Sequence, residues 1–481
     1  MIAPSTVRRK IICALTFPAL LALPVAAYPH AFGARYDLPL PLNFYLSAAG
    51  IAVALSFIIT FFIVKSGESN HALAFNAPIA IAILKGSLRI SGVIILILIL
   101  LTAFFGDTSP TRNLATITVW VLWWVGMTLF SALVIDLWPA LNPTYTLARW
   151  VNRLLPTKTN YPPLPSFSPY LATVGFLFLA WIELVSDISE TPLHLFYLII
   201  IYLLFSCLLS RRYGIDSWFN NADPLTRMFN LLGRAAPFSL TTDHKLIIRL
   251  PGTGLLLPKN PSPQAATTLF IMALISVVLF DGIAETPIWQ AILNYITQSQ
   301  AWRPLLLSIK DANIDILGLL KTGGLIAMLV ISIMTYWLLT YCIWLMVNRQ
   351  IAFQTIAYHF AFSLIPIAIA YHLSHYISYL LLAGQLILPI ISDPLGMGWD
   401  LFGTKLHRID LSVINAEDVW WIAIIAIVVG HMISALIAHR TAVRLFTQRK
   451  QAIQSQIPMM VFMTLLTCFS LWILAQPIVN T

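Results

Sequence analysis

Charged residues are scarce in this 481-residue sequence. Asp, Glu, Lys and Arg make up 10% of it, where a soluble domain carries about 25%. Hydrophobic residues make up 59%, and the mean hydropathy is +0.84. A water-soluble surface for a chain of this size needs far more polar side chains. The composition therefore excludes a soluble fold, a disordered chain, a disulfide scaffold and a nucleic-acid-binding protein.

Cysteine is equally rare, and the four cysteines include no CxxC pair. They are Cys13, Cys207, Cys342 and Cys468. Their spacing argues against thiolate metal sites and redox motifs, and their apolar surroundings predict packing roles. HExxH, GxSxG, P-loop and GxGxxG motifs are also missing from credible contexts. What remains is a polytopic, all-α membrane protein whose partner is the lipid bilayer.

The N-terminus has the pattern of a signal peptide. Arg8, Arg9 and Lys10 precede an apolar stretch over residues 11–26, and Ala27 ends a small-residue cleavage pattern. The alternative is an uncleaved first helix, a signal anchor. In both cases the chain after residue 27 begins on the outer side of the membrane.

Ten further segments are apolar and about 20 residues long, which is the length that crosses a bilayer core of roughly 30 Å. The predicted spans are 43–64, 86–105, 115–137, 170–187, 193–210, 266–285, 322–347, 351–382, 418–438 and 458–476. Together they predict a helical bundle in a single membrane domain over residues 28–481. The connections include a long inner loop at 211–263 and long outer loops at 286–320 and 383–417.

The positive charges test this topology independently. Eighteen of the 28 Lys and Arg residues fall on the side predicted to be inside, and seven fall outside. The remaining three form the basic start of the predicted signal peptide. Such a bias marks the cytoplasmic side. The sequence therefore predicts a multi-pass protein of a bacterial inner membrane, with both termini on the periplasmic side.

Acidic residues show the opposite bias, since 13 of the 19 lie at or beyond the outer ends of spans. Two interpretations are open: acids collect where Lys and Arg are excluded, or they form a cation site near the outer face. Two more acids, Glu183 and Asp136, lie at or within spans. They suit a proton path, although helix capping also explains Asp136, which precedes Leu-Trp-Pro.

A short internal similarity links SDISETP at 186–192 with FDGIAETP at 280–287. Each follows a span that runs outward, and each is preceded on the inner side by Trp and then Asn-Pro or Asp-Pro. Two units in the same orientation are typical of transporters built from parallel repeats, but the match is short enough to arise by chance.

Two histidines in consecutive predicted spans, His359 and His431, lie at similar distances from the inner ends of those spans. At about 1.5 Å per residue, both are about 12 Å deep. They either ligate one metal ion or haem, or pack the bundle by bonding to neighbours such as Tyr358 and Ser434. A second haem is disfavoured, because His372 has no histidine at matching depth on the other span.

A second pair, His372 and His375, stands at the outer end of the eighth span with a spacing that puts both on one helix face. Two histidines plus a carboxylate with an open position hold a metal that activates water. The candidate partners at this surface are Asp187, Glu190, Asp281, Glu285 and His30. The alternative is an interfacial aromatic belt, since Tyr371, Tyr376 and Tyr379 flank the histidines.

Several segments of this chain resemble poorly characterised bacterial multi-pass membrane proteins, some of which are named fenitrothion hydrolase. The segments are HAFGARYDLPLPL (30–42), DLWPALNP (136–143), YHLSHY (371–376), DPLGMGWDLFGT (393–404) and GH (430–431) with His439. The resemblance implies a metal-dependent hydrolase that attacks small apolar phosphotriesters at the outer face. The competing classes are a transporter and a membrane subunit that handles metal or haem within a larger envelope complex.

Overall fold

The computed structural model describes residues 39–63, 72–155, 161–256 and 264–476. The predicted signal peptide at 1–27, His30 and the last part of the inner loop, 257–263, lie outside the described residues. The chain is 77% helical with very little strand. The prediction of an all-α fold is therefore confirmed.

Helices follow one another along almost the whole described chain. In chain order they are α1 (Leu42–Ile63), α2 (Pro78–Phe105), α3 (Leu114–Leu133), α4 (Trp138–Leu141), α5 (Pro143–Leu154), α6 (Ser168–Leu184), α7 (Pro192–Tyr213), α8 (Ile215–Asn221), α9 (Pro224–Leu232), α10 (Gln264–Ala284), α11 (Pro287–Gln298), α12 (Arg303–Asp311), α13 (Ile316–Met346), α14 (Phe353–Ala361), α15 (Ile365–Ala383), α16 (Ile387–Ser392), α17 (Ala416–Leu445) and α18 (Arg449–Leu474). The middle of α3, Ile117–Met127, is a π-helix.

Each of the ten predicted spans corresponds to a helix in this series. Within the described residues, nine helical segments are long and apolar enough to cross a membrane, with α14 to α16 forming one of them, Phe353–Ser392. The tenth, α6, has 17 residues and is therefore about 25 Å long, slightly shorter than a typical hydrocarbon core. This is the architecture of a multi-pass membrane protein.

The helix starts explain the internal similarity in the sequence. Asn142 and Asp223 each accept a hydrogen bond from a backbone N–H in the first turn of α5 and α9, and Thr286 does the same for α11. Thr191 occupies the equivalent position before α7. In all four cases proline is at the first helical turn, where its missing N–H costs nothing. The shared Thr-Pro pairs, like the Asn-Pro and Asp-Pro pairs, therefore lie at helix N-caps, which occur at the starts of many unrelated helices.

One compact unit consists of α1, most of α10, α11 to α14, α15 as far as His375, and α17 with α18. The C-terminal helix α18 packs against α1, α17 and α13. Two segments are far more enclosed than the other spans: Phe353–Ser392, which contains α14 and α15, is 89% buried, and α10 is 83% buried. An enclosed helix is where ionisable side chains have functional rather than incidental roles.

The other compact unit covers residues 70–266 and 376–415. In it α2 packs against α7 and α5, and α9 packs against α6. A small antiparallel sheet of β1 (Leu73–Asn76), β2 (Phe238–Leu240) and β3 (Lys245–Ile248) has the order β1-β3-β2, with Leu73 and Phe238 both paired to Ile248.

The two predicted outer loops differ in structure. The first, 286–320, contains α11 and α12. The second begins with α16 and then forms turns, in which the Asp393 carboxylate accepts hydrogen bonds from the N–H groups of Met397 at 2.8 Å and Gly398 at 2.7 Å. Gly396 and Gly398 have φ values of 68° and 90°, which glycine adopts without strain. Asp and Gly thus have in this segment the roles that they commonly have in tight turns.

Candidate metal centre

Three ionisable side chains converge in the first compact unit. Asp281 and Glu285 lie at the C-terminal end of α10, and His375 lies on α15. One ligand atom from each residue lies within 4.8 Å of the others. The closest pair is His375 Nε2 and Asp281 Oδ2, which are 2.9 Å apart. The arrangement brings two carboxylates and one imidazole to one point.

The position of the two carboxylates is electrostatically unfavourable in the absence of a cation. Asp281 and Glu285 are four residues apart, so they share one helix face, where like charges repel. They also stand at the C-terminus of α10, where the helix dipole contributes a partial negative charge. This end of α10 is therefore a place where a positive charge, from a metal ion or a protonated imidazole, is stabilised.

The three ligands differ in their access to the surroundings. The side chains of His375 and Asp281 are 10% and 15% exposed, whereas Glu285 is an exposed residue. His375 and Asp281 thus form an enclosed wall of the site, and Glu285 lies at its exposed side. A ligand enters such a site past Glu285.

Tyr371 completes the enclosed wall. It precedes His375 by one helical turn and stacks on its ring, with centroids 6.4 Å apart and planes inclined by 17°. The residue is 3% exposed, and its hydroxyl has no hydrogen-bond partner among the described residues. A buried hydroxyl without a partner costs about 1–3 kcal/mol, and such a group calls for an explanation. Next to two carboxylates and an imidazole, this hydroxyl is a candidate hydrogen-bond donor to a ligand.

Sequence reasoning placed Tyr371 in an interfacial belt with Tyr376 and Tyr379. In the structure Tyr371 and Tyr376 are buried, at 3% and 7% exposure, and Tyr379 is 44% exposed. The belt interpretation therefore suits only Tyr379. The signal that would have identified Tyr371 was its spacing of four residues from His375, which puts the two rings on one helix face.

The other predicted site residues are not part of this group. His372 is buried at 8% exposure but contributes no ligand atom to the cluster. Asp187 and Glu190 form a 3-10 turn after α6 and belong to the other compact unit. His30 lies outside the described residues. Of the predicted HxxH pair, the structure brings only His375 to the carboxylates.

Hydrogen bonds define the register between α17 and the helices α14 and α15. The Ser434 hydroxyl donates to the carbonyl of Ser363, and the Ser374 hydroxyl donates to the carbonyl of Ala423 at 3.3 Å. The two contacts describe the same antiparallel alignment, in which residue numbers on the facing helices add to a constant. This alignment fixes which histidines are level with one another.

The predicted equal depth of His359 and His431 is wrong. The register places His431 level with Pro366, which is seven residues and therefore about 10 Å from His359 along the helix. The physical reason is that α17 continues to Leu445, seven residues beyond the predicted end of that span at 438. Because the predicted span ended at 438 and not at Leu445, the predicted position of His431 relative to the facing helix was wrong by seven residues, or about two helical turns.

Each of these histidines is bonded within its own helix. His359 Nδ1 is 2.8 Å from the carbonyl oxygen of Thr355, and His431 Nδ1 is 2.8 Å from that of Ile427. An imidazole N–H that donates to the preceding turn is a common packing arrangement. His431 Nε2 is buried without a hydrogen-bond partner among the described residues, but the register separates the two rings by about 10 Å along the helix and so argues against a metal or haem shared by the pair. Asp136 also has the capping role, since it accepts a hydrogen bond from the Trp138 N–H at 3.0 Å.

No protein family, no curated protein and no solved structure matches this chain. The similarity to proteins named fenitrothion hydrolase therefore rests on the quoted sequence segments.

Proposed function

We propose that this membrane protein is a metal-dependent hydrolase of apolar phosphotriesters, with its site at the outer face formed by Asp281, Glu285 and His375. The observation that carries the proposal is the convergence of two carboxylates and one imidazole within 4.8 Å on enclosed helices. Three protein ligands leave coordination positions open for water and substrate, as in catalytic metal sites.

The ligand set suits a divalent ion. Carboxylates are ligands for Mg²⁺ and Mn²⁺, and imidazole favours Zn²⁺ and related metals. Bonds of about 2.1 Å hold ligand atoms of one ion roughly 3–4 Å apart, so the cluster closes by a small side-chain movement. A bound ion would replace the contact between His375 and Asp281, and its binding would release the proton that the pair shares.

A divalent ion at this point supplies two effects: it polarises a phosphoryl oxygen and lowers the pKa of a bound water. The chain supplies the rest. The Tyr371 hydroxyl is available to donate a hydrogen bond to the phosphoryl oxygen, where negative charge grows in the transition state. Water forms the new P–O bond, the P–O bond to the aryl group breaks, and the aryloxide leaves, while the proton of the water passes to solvent beside the exposed Glu285.

The substrate class follows from the surroundings of the site. An uncharged phosphotriester dissolves in the bilayer and reaches a membrane-embedded site laterally, whereas a charged monoester does not. The expected substrates are therefore neutral phosphotriesters, and among these an aryl ester should react fastest because aryloxide is a better leaving group than alkoxide. The other candidate partners named by the sequence, additional subunits of an envelope complex, are not needed for this reaction.

The test uses the full-length protein purified in detergent and loaded with Zn²⁺, Mn²⁺ or Co²⁺. Metal content is measured by mass spectrometry, and hydrolysis of an apolar p-nitrophenyl phosphotriester is followed by release of p-nitrophenol. Asp281→Asn, Glu285→Gln and His375→Gln should each lose metal and activity. Asp187→Asn and Glu190→Gln are matched controls from the other predicted acidic segment and should retain both. Equal metal content in all five variants contradicts the proposal.

A second candidate is a proton-coupled transporter, and the direct bond between His375 and Asp281 favours it. Intramembrane carboxylate–histidine pairs are typical of proton relays. This alternative predicts that His375→Gln abolishes pH-driven flux in proteoliposomes and that the wild-type protein hydrolyses no phosphotriester. A haem absorption spectrum of the purified protein tests the subunit alternative, which the register of His359 and His431 disfavours.

A further inference from the structure

The second compact unit contains a cavity of about 160 Å³ that is half open to the surroundings. Its walls come from α2, α3, α7 and the start of α5, and almost all of its surface is carbon. A dry cavity of about 150 Å³ accepts a molecule the size of benzene. The cavity is therefore large enough to hold a ligand, and its lining selects an apolar one.

The cavity extends along two packed helices. On α2 it is lined by a stripe of residues from Gly92 to Ile99, and on α7 by a stripe from Leu195 to Leu203. At 1.5 Å per residue these stripes extend about 10 Å and 12 Å along the two helices. A groove of that length between two packed helices fits an extended hydrocarbon chain better than a compact ring.

Two polar groups of the aromatic wall are hydrogen-bonded elsewhere, and the indole N–H of Trp138, which also lines the groove, has no partner among the described residues. The indole N–H of Trp120 donates to the carbonyl of Ser189 at 3.0 Å, and the Tyr202 hydroxyl donates to the Asp223 carboxylate. Trp123 and Trp124 extend the same wall from the π-helix, a form of helix that occurs often at functional sites. With these two donors occupied, most of the wall offers carbon surface to its ligand.

Arg89 lies on α2 shortly before the residues that line the groove. Arg89 is on the same face of α2 as Gly92, one turn before it. The residue is half-buried, and its Nε atom is enclosed without a hydrogen-bond partner among the described residues. It lies within electrostatic range of Lys85 and of Tyr145 at the start of α5. A buried guanidinium N–H without a partner, next to a second cation, points to an anion, and guanidinium groups match phosphate geometry.

We propose that this groove binds one phospholipid, with an acyl chain along the cavity between α2 and α7 and its phosphate on Arg89. The hydrocarbon wall and the cation that precedes it on α2 correspond to the two parts of such a molecule. The bilayer supplies the ligand at high local concentration. This site is separate from the proposed hydrolytic centre and does not depend on it.

The test is photolabelling of the full-length protein in vesicles of phosphatidylcholine that contain a trace of phosphatidylglycerol with a diazirine in mid-chain. Labelled peptides are mapped by mass spectrometry. We expect labels in the two stripes, Gly92–Ile99 and Leu195–Leu203. Leu198→Phe fills the groove and should reduce this labelling severalfold. Ile201→Phe is the matched control, since Ile201 is on the same helix but 64% exposed, and it should label as the wild type does.

The phosphate contact is tested with a diacylglycerol that carries the same diazirine chain. Wild-type protein should label severalfold less with this neutral lipid than with phosphatidylglycerol, and Arg89→Gln should remove the difference. Val119→Phe, which fills the groove from α3, replaces Leu198→Phe if that variant is not monodisperse. Equal labelling of the stripes in the filled variants and the wild type overturns the site, and equal labelling by the two lipids in wild type overturns the role of Arg89.

Discussion

A β-carbon at residue 282 would lie 2.4 Å from the hydroxyl oxygen of Tyr371. Gly282 follows Asp281 in α10, so the tyrosine enters the enclosed wall of the cluster through the space that this glycine leaves. Tyr371 in turn stacks on His375. The positions of both rings therefore depend on residue 282 having no side chain. The cluster therefore depends on a residue that contributes no ligand atom.

Gly282→Ala should displace Tyr371 and weaken metal binding. Tyr371 is buried, so its ring has little room to retreat, and overpacking of this kind typically costs about 1–3 kcal/mol. Gly323→Ala in α13 is the matched control, because a β-carbon there meets nothing within 4 Å. That control should leave metal binding intact and raise helix stability by up to about 1 kcal/mol. Thermal unfolding and metal titration of both variants measure the contrast, and an unaltered metal affinity in Gly282→Ala contradicts it.

Tyr371→Phe should distinguish the contribution of the hydroxyl from that of the ring. The phenyl ring keeps the stacking on His375, and removal of a buried hydroxyl that has no partner leaves stability unchanged or raises it by about 1 kcal/mol. If that hydroxyl supports phosphotriester hydrolysis, kcat falls about 100-fold, as for loss of one donor to a growing negative charge, while metal content stays at the wild-type level. A clear loss of stability in Tyr371→Phe would show instead that the hydroxyl has a structural partner.

The sequence was sufficient for the helices and for the acidic pair at the end of α10. Apolar segments of spanning length, acids at the outer span ends and Asn-Pro or Asp-Pro helix starts are all local signals. The sequence near these residues could not show that His375, and not His372, joins the cluster. The two side chains differ by about 60° around α15, and only the packing of α10 against that helix decides which one faces the carboxylates. The sequence also did not predict the full length of α17. Arg440 and Arg444 suggested that the span ends at 438, yet the helix continues past both.

The helix register can be tested by cross-linking. Ser363→Cys with Ser434→Cys should form a disulfide or a short cross-link, since the two residues are hydrogen-bonded across α14–α15 and α17. His359→Cys with His431→Cys should not, because the register separates them by about 10 Å along the helices and disulfides need Cα atoms within about 7 Å. Oxidation with copper phenanthroline followed by mass spectrometry gives the result. Efficient cross-linking of the second pair would restore the predicted equal depth.

The orientation of the chain in the membrane is a prediction of its charge bias. Reporter fusions in the 150s and within 211–263 should give cytoplasmic signals, and fusions at 390–415 should give periplasmic ones, because Lys and Arg concentrate on the cytoplasmic side. A periplasmic signal from the 211–263 segment would reverse the topology and move the Asp281–Glu285–His375 cluster to the cytoplasmic face.

The carboxylate of Asp223 holds together the start of α9 and the middle of α7. One oxygen accepts the Thr226 N–H at 2.8 Å, and the other accepts the hydroxyl of Tyr202. Asp223→Ala removes the helix cap, worth about 1 kcal/mol, and leaves a buried hydroxyl unpaired at about 1–3 kcal/mol. We expect a loss of roughly 2–4 kcal/mol in the free energy of unfolding. Asp223→Asn retains an acceptor oxygen for the cap and should lose less.

The same residue predicts a dependence on pH. Burial raises the pKa of the Asp223 carboxyl above its unfolded value, so the folded chain binds this proton more tightly than the unfolded chain does. Its contribution to stability is therefore greatest below the unfolded pKa and declines as pH rises from there through the raised folded pKa. Asp223→Asn has no such proton, and its melting temperature should fall less than that of the wild type across this range. Parallel pH profiles for the two proteins in thermal unfolding would show that another group controls the dependence.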